Sequence, residues 1–345
     1  METTAGLRAW AEQYLPAFVA IERPIEFEAI TGDAGFRQYF RINTRPSVIA
    51  VYAPPSHENV PAFVSKDVAM KAAAVAVPAI YAVDFVQGYM LQEDFGDALL
   101  LPLLNETSVA RLYGEAERML LRIQRVNPES SVFPPYDRAL LRQEMELFPQ
   151  WFVEQLLGLS LTAQDRAIIE AAFTLLEDAA LEQPQVVVHR DYHSRNLLVT
   201  GSNDAIGVID FQDAVIGAFS YDLVSLLKDC YIHWPTALVE DRALAFLTER
   251  ARELGVSQPE PSRLIRWFDL MGLQRHIKVL GIFARLYLRD GKARYLEDLP
   301  LVLRYTLEVV RSYPELANFN QWFAERLLPL LPTQSWYRES QTAGD

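Results

Sequence analysis

One β-like region, residues 185–211, lies within a second half of the chain that is otherwise helical in its hydrophobic period. Two apolar runs in this region, one starting at Leu197 and one centred near Ile209, are separated by the turn-forming sequence TGSND. This pattern predicts a β-hairpin, because strand-like runs on both sides of a short turn pair with each other. The polar sequence HRDYHSRN directly precedes the first strand.

The polar residues around the predicted hairpin have the spacing of a phosphoryl-transfer site. Asn196 follows Asp191 by five residues and Asp210 follows Asn196 by fourteen, so the hairpin would bring the three together. Phosphoryl transfer needs a carboxylate that orients the acceptor hydroxyl, and oxygen ligands for Mg²⁺ at the ATP phosphates. Asp191 suits the first role, and Asn196 and Asp210 suit the second. The five-residue interval matches the kinase catalytic loop H-R-D-x-x-x-x-N.

Two other interpretations of this motif remain open. His189, Asp191 and His193 alternate as the ligands of a metal hydrolase can, although such a site needs further ligands. The three remaining histidines of the chain belong to no paired motif. Alternatively, the polar residues are turn residues beside a core strand.

Charge and composition exclude several classes of function. A net charge of −13 argues against nucleic acid or an anionic membrane as the main partner, since counterion release needs a basic patch. The one cysteine, Cys230, cannot form an internal disulfide, which fits a reducing cytosol. Because the sequence also shows neither a signal peptide nor a membrane span, we expect a cytoplasmic protein. The sequence does not indicate its oligomeric state.

The predicted secondary structure changes near residue 97, from mainly strands to mainly helices, and this change predicts two lobes. Short strand-like runs and one main helix fill residues 1–97, with a hinge near 91–97. Long segments of helical period follow, among them 138–157 and 293–330. We therefore expect an α+β fold with a small β-rich N-lobe and a larger, mostly helical C-lobe over residues 98–345.

The sequence TGDAGFRQYFR lies between two strand-like runs of the predicted N-lobe. Its glycines permit backbone N–H groups to approach phosphate oxygens closely. Its arginines alternate onto one face of the following strand, from which a guanidinium can bind phosphate in a bidentate way. An ordinary hairpin with exposed arginines is the alternative. The predicted nucleotide-binding residues here are Gly32, Asp33, Gly35, Arg37 and Arg41, and those of the hinge MLQEDFGD are Glu93 and Phe95.

The sequence HRDYHSRNLLV, followed by GVIDFQDAVIGAFSYDLVSLL, resembles the signature of the aminoglycoside phosphotransferase/choline kinase family. These are small-molecule kinases with a protein-kinase-like bilobal fold. The resemblance implies an ATP-dependent phosphotransferase with an alcohol acceptor, in which Asp191 is the base and Asn196 and Asp210 bind Mg²⁺. It also implies that His189 and Asp222 brace the catalytic loop. Asp222 is also suited to cap the helix that follows it.

A closer resemblance, to bacterial kinases of cell-wall recycling, rests on GDAGFRQYFRI, VYAPPS, LQEDFGD and QRHIKVLGIFARLYLRDGKARYLEDLP. Those kinases phosphorylate the anomeric C1 hydroxyl of N-acetylmuramate and N-acetylglucosamine. The resemblance covers about residues 28–305. It implies a small-molecule amino sugar as the acceptor. A kinase for another hydroxyl acceptor, of aminoglycoside or choline type, remains the alternative.

The N-lobe departs from the protein-kinase pattern at its lysine. Protein kinases pair a strand Lys with a Glu on the following helix. Here the strand SVIAVYAPP has no Lys, and the helix has Lys66, Asp67 and Lys71 but no central Glu. We expect Arg37 or Arg41 to replace the lysine. The departure also leaves open a non-catalytic ATP-binding module.

A basic face of the predicted helix 263–289 is a candidate acceptor site. Arg275 and Lys278 share this face, next to His276. Positive charge there suits an anionic acceptor, such as a lactyl-bearing sugar, and suits choline or an aminoglycoside poorly. A solvated basic face is the alternative. Asp213 is a further candidate for a metal contact or a hydrogen bond to a sugar hydroxyl.

Overall fold

The computed structural model describes residues 2–21, 24–30, 36–129, 131–201 and 204–338. The chain divides into two compact units, each built from two segments. Unit 1 comprises Met1–Val132 and Arg195–Asp213, and unit 2 comprises Phe133–Ser194 and Ala214–Asp345. Asp191 therefore belongs to unit 2, whereas Asn196 and Asp210 belong to unit 1. The predicted functional division at residue 97 stays a prediction.

In the described residues, seven strands lie before residue 94 and four lie between residues 185 and 218. In chain order they are β1 (Ala20–Ile21), β2 (Phe27–Ile30), β3 (Gln38–Ile42), β4 (Thr44–Arg45), β5 (Val48–Tyr52), β6 (Ile80–Asp84), β7 (Tyr89–Glu93), β8 (Gln185–Val188), β9 (Leu197–Thr200), β10 (Ala205–Val208) and β11 (Val215–Ala218).

Most of the α-helices of the described residues lie after residue 100, as the hydrophobic period predicts. In chain order they are α1 (Glu2–Tyr14), α2 (Val60–Ala72), α3 (Val109–Gln124), α4 (Arg138–Met145), α5 (Ala163–Leu181), α6 (Tyr221–Leu227), α7 (Thr236–Glu253), α8 (Pro261–Leu288), α9 (Leu299–Ser312) and α10 (Ala317–Trp322). None of these helices is long and apolar enough to cross a membrane.

Unit 1 is organised around an antiparallel sheet of order β2-β3-β5-β7-β6. The central strand β5 has the sequence VIAVY, whose apolar and β-branched side chains suit a strand covered on both faces. Leu7 and Ala11 of α1 pack on one face against Val48 and Leu91. Removing this apolar surface from water stabilises the sheet by about 25 cal/mol per Å².

The hairpin predicted around TGSND is confirmed within unit 1. Strands β9 and β10 pair antiparallel, with Leu197 opposite Val208 and Thr200 opposite Ala205. The segment after the hinge extends this pairing, because Leu100 N–H donates to the Leu197 carbonyl at 2.8 Å. The residues that flank the hairpin are thereby fixed to the hinge segment.

Unit 2 is built around α8, which packs against α5, α6, α9 and the π-helical segment Phe148–Leu156. Contact with this segment is so close that a Cβ on Gly281 would lie 2.3 Å from the Leu147 carbonyl carbon. Strands β8 and β11 pair antiparallel in the same unit. Strand β8 precedes and β11 follows the segment Arg195–Asp213 of unit 1, which interrupts unit 2 in the sequence.

Two long helices expected from periodicity are broken in the structure, both at prolines. The segment 138–157 changes from α4 to π-helix because Pro149 has no N–H for the preceding turn. The segment 293–330 is interrupted before Pro314, where Tyr313 has an extended backbone (φ −117°, ψ 115°). Hydrophobic period alone does not reveal such breaks.

Candidate active site

The two predicted metal ligands lie at the open end of the hairpin β9–β10. Ile209 N–H donates to the Asn196 carbonyl at 3.1 Å, so Asp210 follows directly on the residue bonded to Asn196. Asp210 has a φ of 66°, in the left-handed region that few non-glycine residues adopt. Backbone strain of this kind concentrates at functional sites. The amide oxygen and the carboxylate are ligands of the type that Mg²⁺ takes.

Gln212 connects Asp210 with two cations of the same unit. Its Nε2 donates to Asp210 Oδ1 at 2.6 Å, and its Oε1 accepts from Arg37 Nη1 at 3.0 Å. Its backbone carbonyl accepts from Lys66 Nζ at 2.5 Å. Arg37 is further oriented by Glu58, whose Oε2 lies 2.9 Å from Nε. Gln212, two residues after the predicted metal ligand Asp210, thus holds two positively charged side chains.

Helix α2 determines the position of both cations. The Asn59 side chain caps the helix by accepting from Ala62 N–H at 3.0 Å. Phe63 and Lys66, three residues apart, then share a helix face. The Arg37 guanidinium lies 4.6 Å above the Phe63 ring, and only 8% of its side chain is exposed. The alternative of an exposed arginine therefore does not hold for Arg37.

Arg41 lies within β3, whereas Arg37 directly precedes the strand, and the two arginines have different environments. The Arg41 guanidinium donates to both oxygens of Asp94, at 2.6 and 3.1 Å, and to both oxygens of Asp97, at 2.9 and 2.8 Å. These bonds outweigh burial and lower the pKa of Asp94. These bonds brace the hinge, and the predicted phosphate contact of Arg41 stays a prediction.

The hinge residues are held by backbone bonds and by packing. Glu93 and Ala79 exchange two bonds, from Glu93 N–H to the Ala79 carbonyl at 2.8 Å and from Ala79 N–H to Glu93 Oε2 at 3.1 Å. Phe95 packs on Gly207, where a Cβ would lie 2.6 Å from its ring. Adenine contacts at this hinge stay a prediction. Gly32, Asp33 and Gly35 lie outside the described residues and stay predictions too.

The catalytic loop begins in unit 2 and is held by a carboxylate of α6. Asp222 Oδ2 accepts from His189 N–H at 2.6 Å, and Oδ1 accepts from Arg190 N–H at 3.0 Å. His189 is fully buried, and its Nδ1 accepts from Asp191 N–H at 3.3 Å. The helix N-cap is Ser220 rather than Asp222. The geometry therefore favours the bracing role over the capping role.

A second carboxylate, Asp229, holds the other end of the unit 2 part of the loop. Asp229 Oδ2 accepts from both N–H and Oγ of Ser194, at 2.9 and 2.5 Å. The sequence carries no signal for this contact, because Asp229 lies 35 residues beyond its partner in an unremarkable helical ending. Burial raises the pKa of Asp222 to about 6, although the His189 ring and the two backbone N–H bonds that Asp222 accepts oppose the shift.

Asp191 is surrounded by positive charge within unit 2. Burial alone would raise the pKa of its carboxyl group, but Lys278, His193, Arg275 and the neighbouring Arg190 together hold it below its ordinary value. The group is consequently ionised at neutral pH. An ionised carboxylate can accept a hydrogen bond from a substrate hydroxyl, which is the role that the motif predicts.

Glu144 organises these cations and was not anticipated from the sequence. Lys278 Nζ lies 3.1 Å from Glu144 Oε2 and donates to the Tyr221 hydroxyl at 3.1 Å. Arg190 and the Tyr136 hydroxyl also bond to Glu144. The available signal was its position on the buried, apolar face of α4, where a carboxylate requires partners.

The predicted acceptor residues of α8 are all buried, so the alternative of a solvated basic face does not hold for them. The Nε2 of His276 lies 3.1 Å from the Lys228 carbonyl and its ring stacks on Tyr305 at 4.9 Å, and its predicted contact with the acceptor stays a prediction. Burial and the nearby Arg275 lower its pKa to about 3, which keeps the ring neutral. Arg275 donates through Nη1 to Cys230 Sγ at 3.3 Å. Asp213, at the end of unit 1, is exposed.

The metal-hydrolase interpretation lacks its ligands. Within the described ranges, no three His, Cys, Asp or Glu side chains are grouped so that they could hold a metal ion. His189 accepts a hydrogen bond from Asp191 N–H. The His193 ring lies edge-on to Tyr231, and burial lowers its pKa.

Comparison with known sequences identifies kinases of amino sugars as relatives. The profile of the Phosphotransferase enzyme family matches residues 26–255. The chain is 43% identical over 299 residues to the N-acetylmuramate/N-acetylglucosamine kinase of Pseudomonas putida, covering 86% of this chain and 87% of that protein. It is 38% identical over 325 residues to the protein of the same name from Pseudomonas aeruginosa, covering 92% and 95%.

Solved structures share the fold at low sequence identity. Plasmodium vivax ethanolamine kinase superposes with a TM-score of 0.61 at 13% identity, over 88% of this chain and 94% of that one. Choline kinase from Cryptosporidium parvum gives 0.61 at 15% identity, over 93% and 99%. The predicted kinase-like α+β fold is confirmed. The profile match and the similar sequences show that this chain belongs to the phosphotransferase enzyme family.

Proposed function

We propose that this chain is an ATP-dependent kinase that phosphorylates the anomeric C1 hydroxyl of N-acetylmuramate, N-acetylglucosamine or both, in cytoplasmic cell-wall recycling. The observation that carries the proposal is the ionised Asp191 on a braced loop, five residues before the Asn196–Asp210 ligand pair. Relatives named for these two sugars cover 86% and 92% of the chain. The motif alone would support a kinase of any hydroxyl, so the relatives narrow the acceptor.

Residues 1–97, together with Asn196 and Asp210, would serve the nucleotide. Asn196 and Asp210 would hold Mg²⁺, which neutralises charge on the ATP phosphates when bound. Arg37 and Lys66, both anchored on Gln212, would add the positive charge that a strand lysine supplies in protein kinases. Lys66 is thus a second replacement for that lysine, beside the predicted Arg37.

Residues 98–345 would supply the loop and the acceptor site. Asp191 would accept a hydrogen bond from the C1 hydroxyl and hold it in the direction of attack. A hemiacetal hydroxyl is more acidic than an ordinary alcohol, so little proton abstraction is needed before the transition state. Positioning and charge neutralisation would then supply most of the catalysis.

The charges near Asp191 disfavour the alternative acceptors. Choline and aminoglycosides are cations, which bind to carboxylates or aromatic cages. The groups that hold the pKa of Asp191 down include Lys278 and Arg275, both cationic and buried. A sugar that is neutral or anionic avoids repulsion from them.

A substrate panel tests the proposal. The purified protein is incubated with Mg-ATP and N-acetylmuramate, N-acetylglucosamine, glucose, choline or kanamycin, and ADP release is measured with phosphorus NMR of the product. We expect an anomeric phosphate from one or both amino sugars. ADP release with choline or kanamycin alone would overturn the acceptor, and ATP binding without turnover would favour the non-catalytic module.

A further inference from the structure

Arg275 is a buried cation with an unusually weak partner. Only 3% of the residue is exposed. Its Nη1 donates to Cys230 Sγ at 3.3 Å, and no carboxylate of the described part of the chain forms an ion pair with it. Burial raises the pKa of Cys230 to about 11, so the sulfur is an uncharged thiol at neutral pH and a weak acceptor. A buried guanidinium in this state lowers the stability of the fold.

The other cations around Asp191 are each paired with a carboxylate. Lys278, one turn further along α8, has both the Glu144 carboxylate and the Tyr221 hydroxyl within 3.1 Å. Arg190 bonds to Glu144. Arg275 therefore differs from its neighbours in having donors that no carboxylate of the described chain occupies.

Through Cys230, which directly follows the Asp229 that holds Ser194, Arg275 lies close to the catalytic loop. Its charge contributes to the low pKa of Asp191. Asp229, a carboxylate whose charge acts on Arg275, accepts its hydrogen bonds from Ser194 and from Tyr231 N–H instead. A ligand whose hydroxyl is held by Asp191 would consequently extend into the field of this guanidinium.

We propose that Arg275 binds the lactyl carboxylate of N-acetylmuramate and thereby favours this sugar over N-acetylglucosamine. The inference rests on the proposed function. The two sugars share the anomeric hydroxyl and the N-acetyl group, and differ in the lactyl ether at O3. A guanidinium and a carboxylate form two parallel charge-assisted hydrogen bonds, which are strongest where water is excluded.

The test compares kcat/KM for the two sugars in the wild type, Arg275→Met and Arg275→Lys. We expect Arg275→Met to lower the ratio of N-acetylmuramate to N-acetylglucosamine kcat/KM by roughly 100-fold, as for truncation of a buried charge pair. Arg275→Lys keeps the charge without the planar fork and should fall between. Arg289→Met is the matched control, because Arg289 is exposed at the end of α8 and pairs with Asp290.

A chemical variant makes the test independent of folding. The methyl ester of N-acetylmuramate lacks the carboxylate charge, so the wild type should use it roughly 100-fold less well than the acid. Arg275→Met should show almost no difference between acid and ester. Equal use of acid and ester by the wild type, or equal loss for both sugars in Arg275→Met, would overturn the inference and leave the kinase proposal standing. Phosphorylation of neither sugar by the wild type would overturn both.

Discussion

At the scale of single residues, Gln212 accepts hydrogen bonds from two cationic side chains that are distant in the sequence. Arg37 reaches its side chain from the start of β3, and Lys66 reaches its backbone carbonyl from α2. A strand lysine in protein kinases is held by a glutamate. In this chain the charges are held by Gln212, which also bonds to Asp210. One residue therefore contacts both cations and the proposed metal ligand Asp210.

Lys66→Met should weaken Mg-ATP use while leaving the fold intact. We expect kcat/KM for ATP to fall about 10- to 100-fold, since a charge-assisted contact contributes about 1.5–3 kcal/mol. Lys71→Met is the matched control on the same helix, because Lys71 bonds to Asp67 and the Pro78 carbonyl. A loss for Lys71→Met as large as that for Lys66→Met would contradict the assignment.

At the scale of elements, the catalytic loop depends on α6 for its conformation. The two oxygens of Asp222 each accept one N–H bond from consecutive loop residues, which only an ionised carboxylate can do without a competing proton. Arg190, one of the donors, has a φ of 76° and needs such support. The loop should therefore be sensitive to the protonation of Asp222.

The pKa of about 6 for Asp222 predicts an acid limb of activity. Below that pH the protonated carboxyl group loses one of its two acceptor oxygens, so kcat/KM should fall. In Asp222→Asn this acid limb should be absent, and kcat/KM at pH 8 should be about 10-fold or more lower than in the wild type. The free energy of unfolding should depend on pH in the opposite direction to the activity. Because the folded-state pKa exceeds the unfolded value of about 3.9, the contribution of Asp222 to the free energy of unfolding falls as pH rises from about 4 to 6.

Activity and urea unfolding, each measured across pH 4.5–8 in the wild type and in Asp222→Asn, check both statements. The unfolding free energy of the wild type should lose about 2 kcal/mol relative to Asp222→Asn between pH 4.5 and pH 8. An acid limb that persists unchanged in Asp222→Asn would assign the titration to another group.

The parts of the site that the sequence predicts are those that local spacing determines. Asp191, Asn196 and Asp210 follow from a loop and a hairpin, and the hairpin is present. Glu144 and Asp229 reach the loop from separate elements, and nothing local marks them as partners. Buried charge pairing depends on tertiary packing, which a single sequence does not encode in its periodicity.

Alternation in a strand was likewise an incomplete guide. Arg37 directly precedes β3 and bonds to Glu58 and Gln212, whereas Arg41 lies within β3 and bonds to Asp94 and Asp97. Which acceptor each arginine meets depends on the loops beyond the strand. The position of the side chain was predictable, and its partner was not.

At the scale of the whole molecule, charge is distributed unevenly for a chain with net charge −13. Three cations, Arg190, Arg275 and Lys278, are gathered around Asp191 in unit 2 and are largely withdrawn from solvent. Withdrawing a cation from water is costly unless it is paired, so such a cluster indicates a role beyond solubility. Ionising the proposed catalytic carboxylate is one such role.

The most direct test of the account is turnover and nucleotide binding in Asp191→Asn. The amide keeps the shape of the side chain but removes its charge and its ability to accept the hydroxyl proton. We expect sugar phosphate formation, followed by phosphorus NMR with Mg-ATP and N-acetylmuramate, to fall by about 10²- to 10⁴-fold. Mg-ATP affinity by calorimetry should change little, because Asn196 and Asp210 are intact. Turnover within tenfold of the wild type would contradict the central claim.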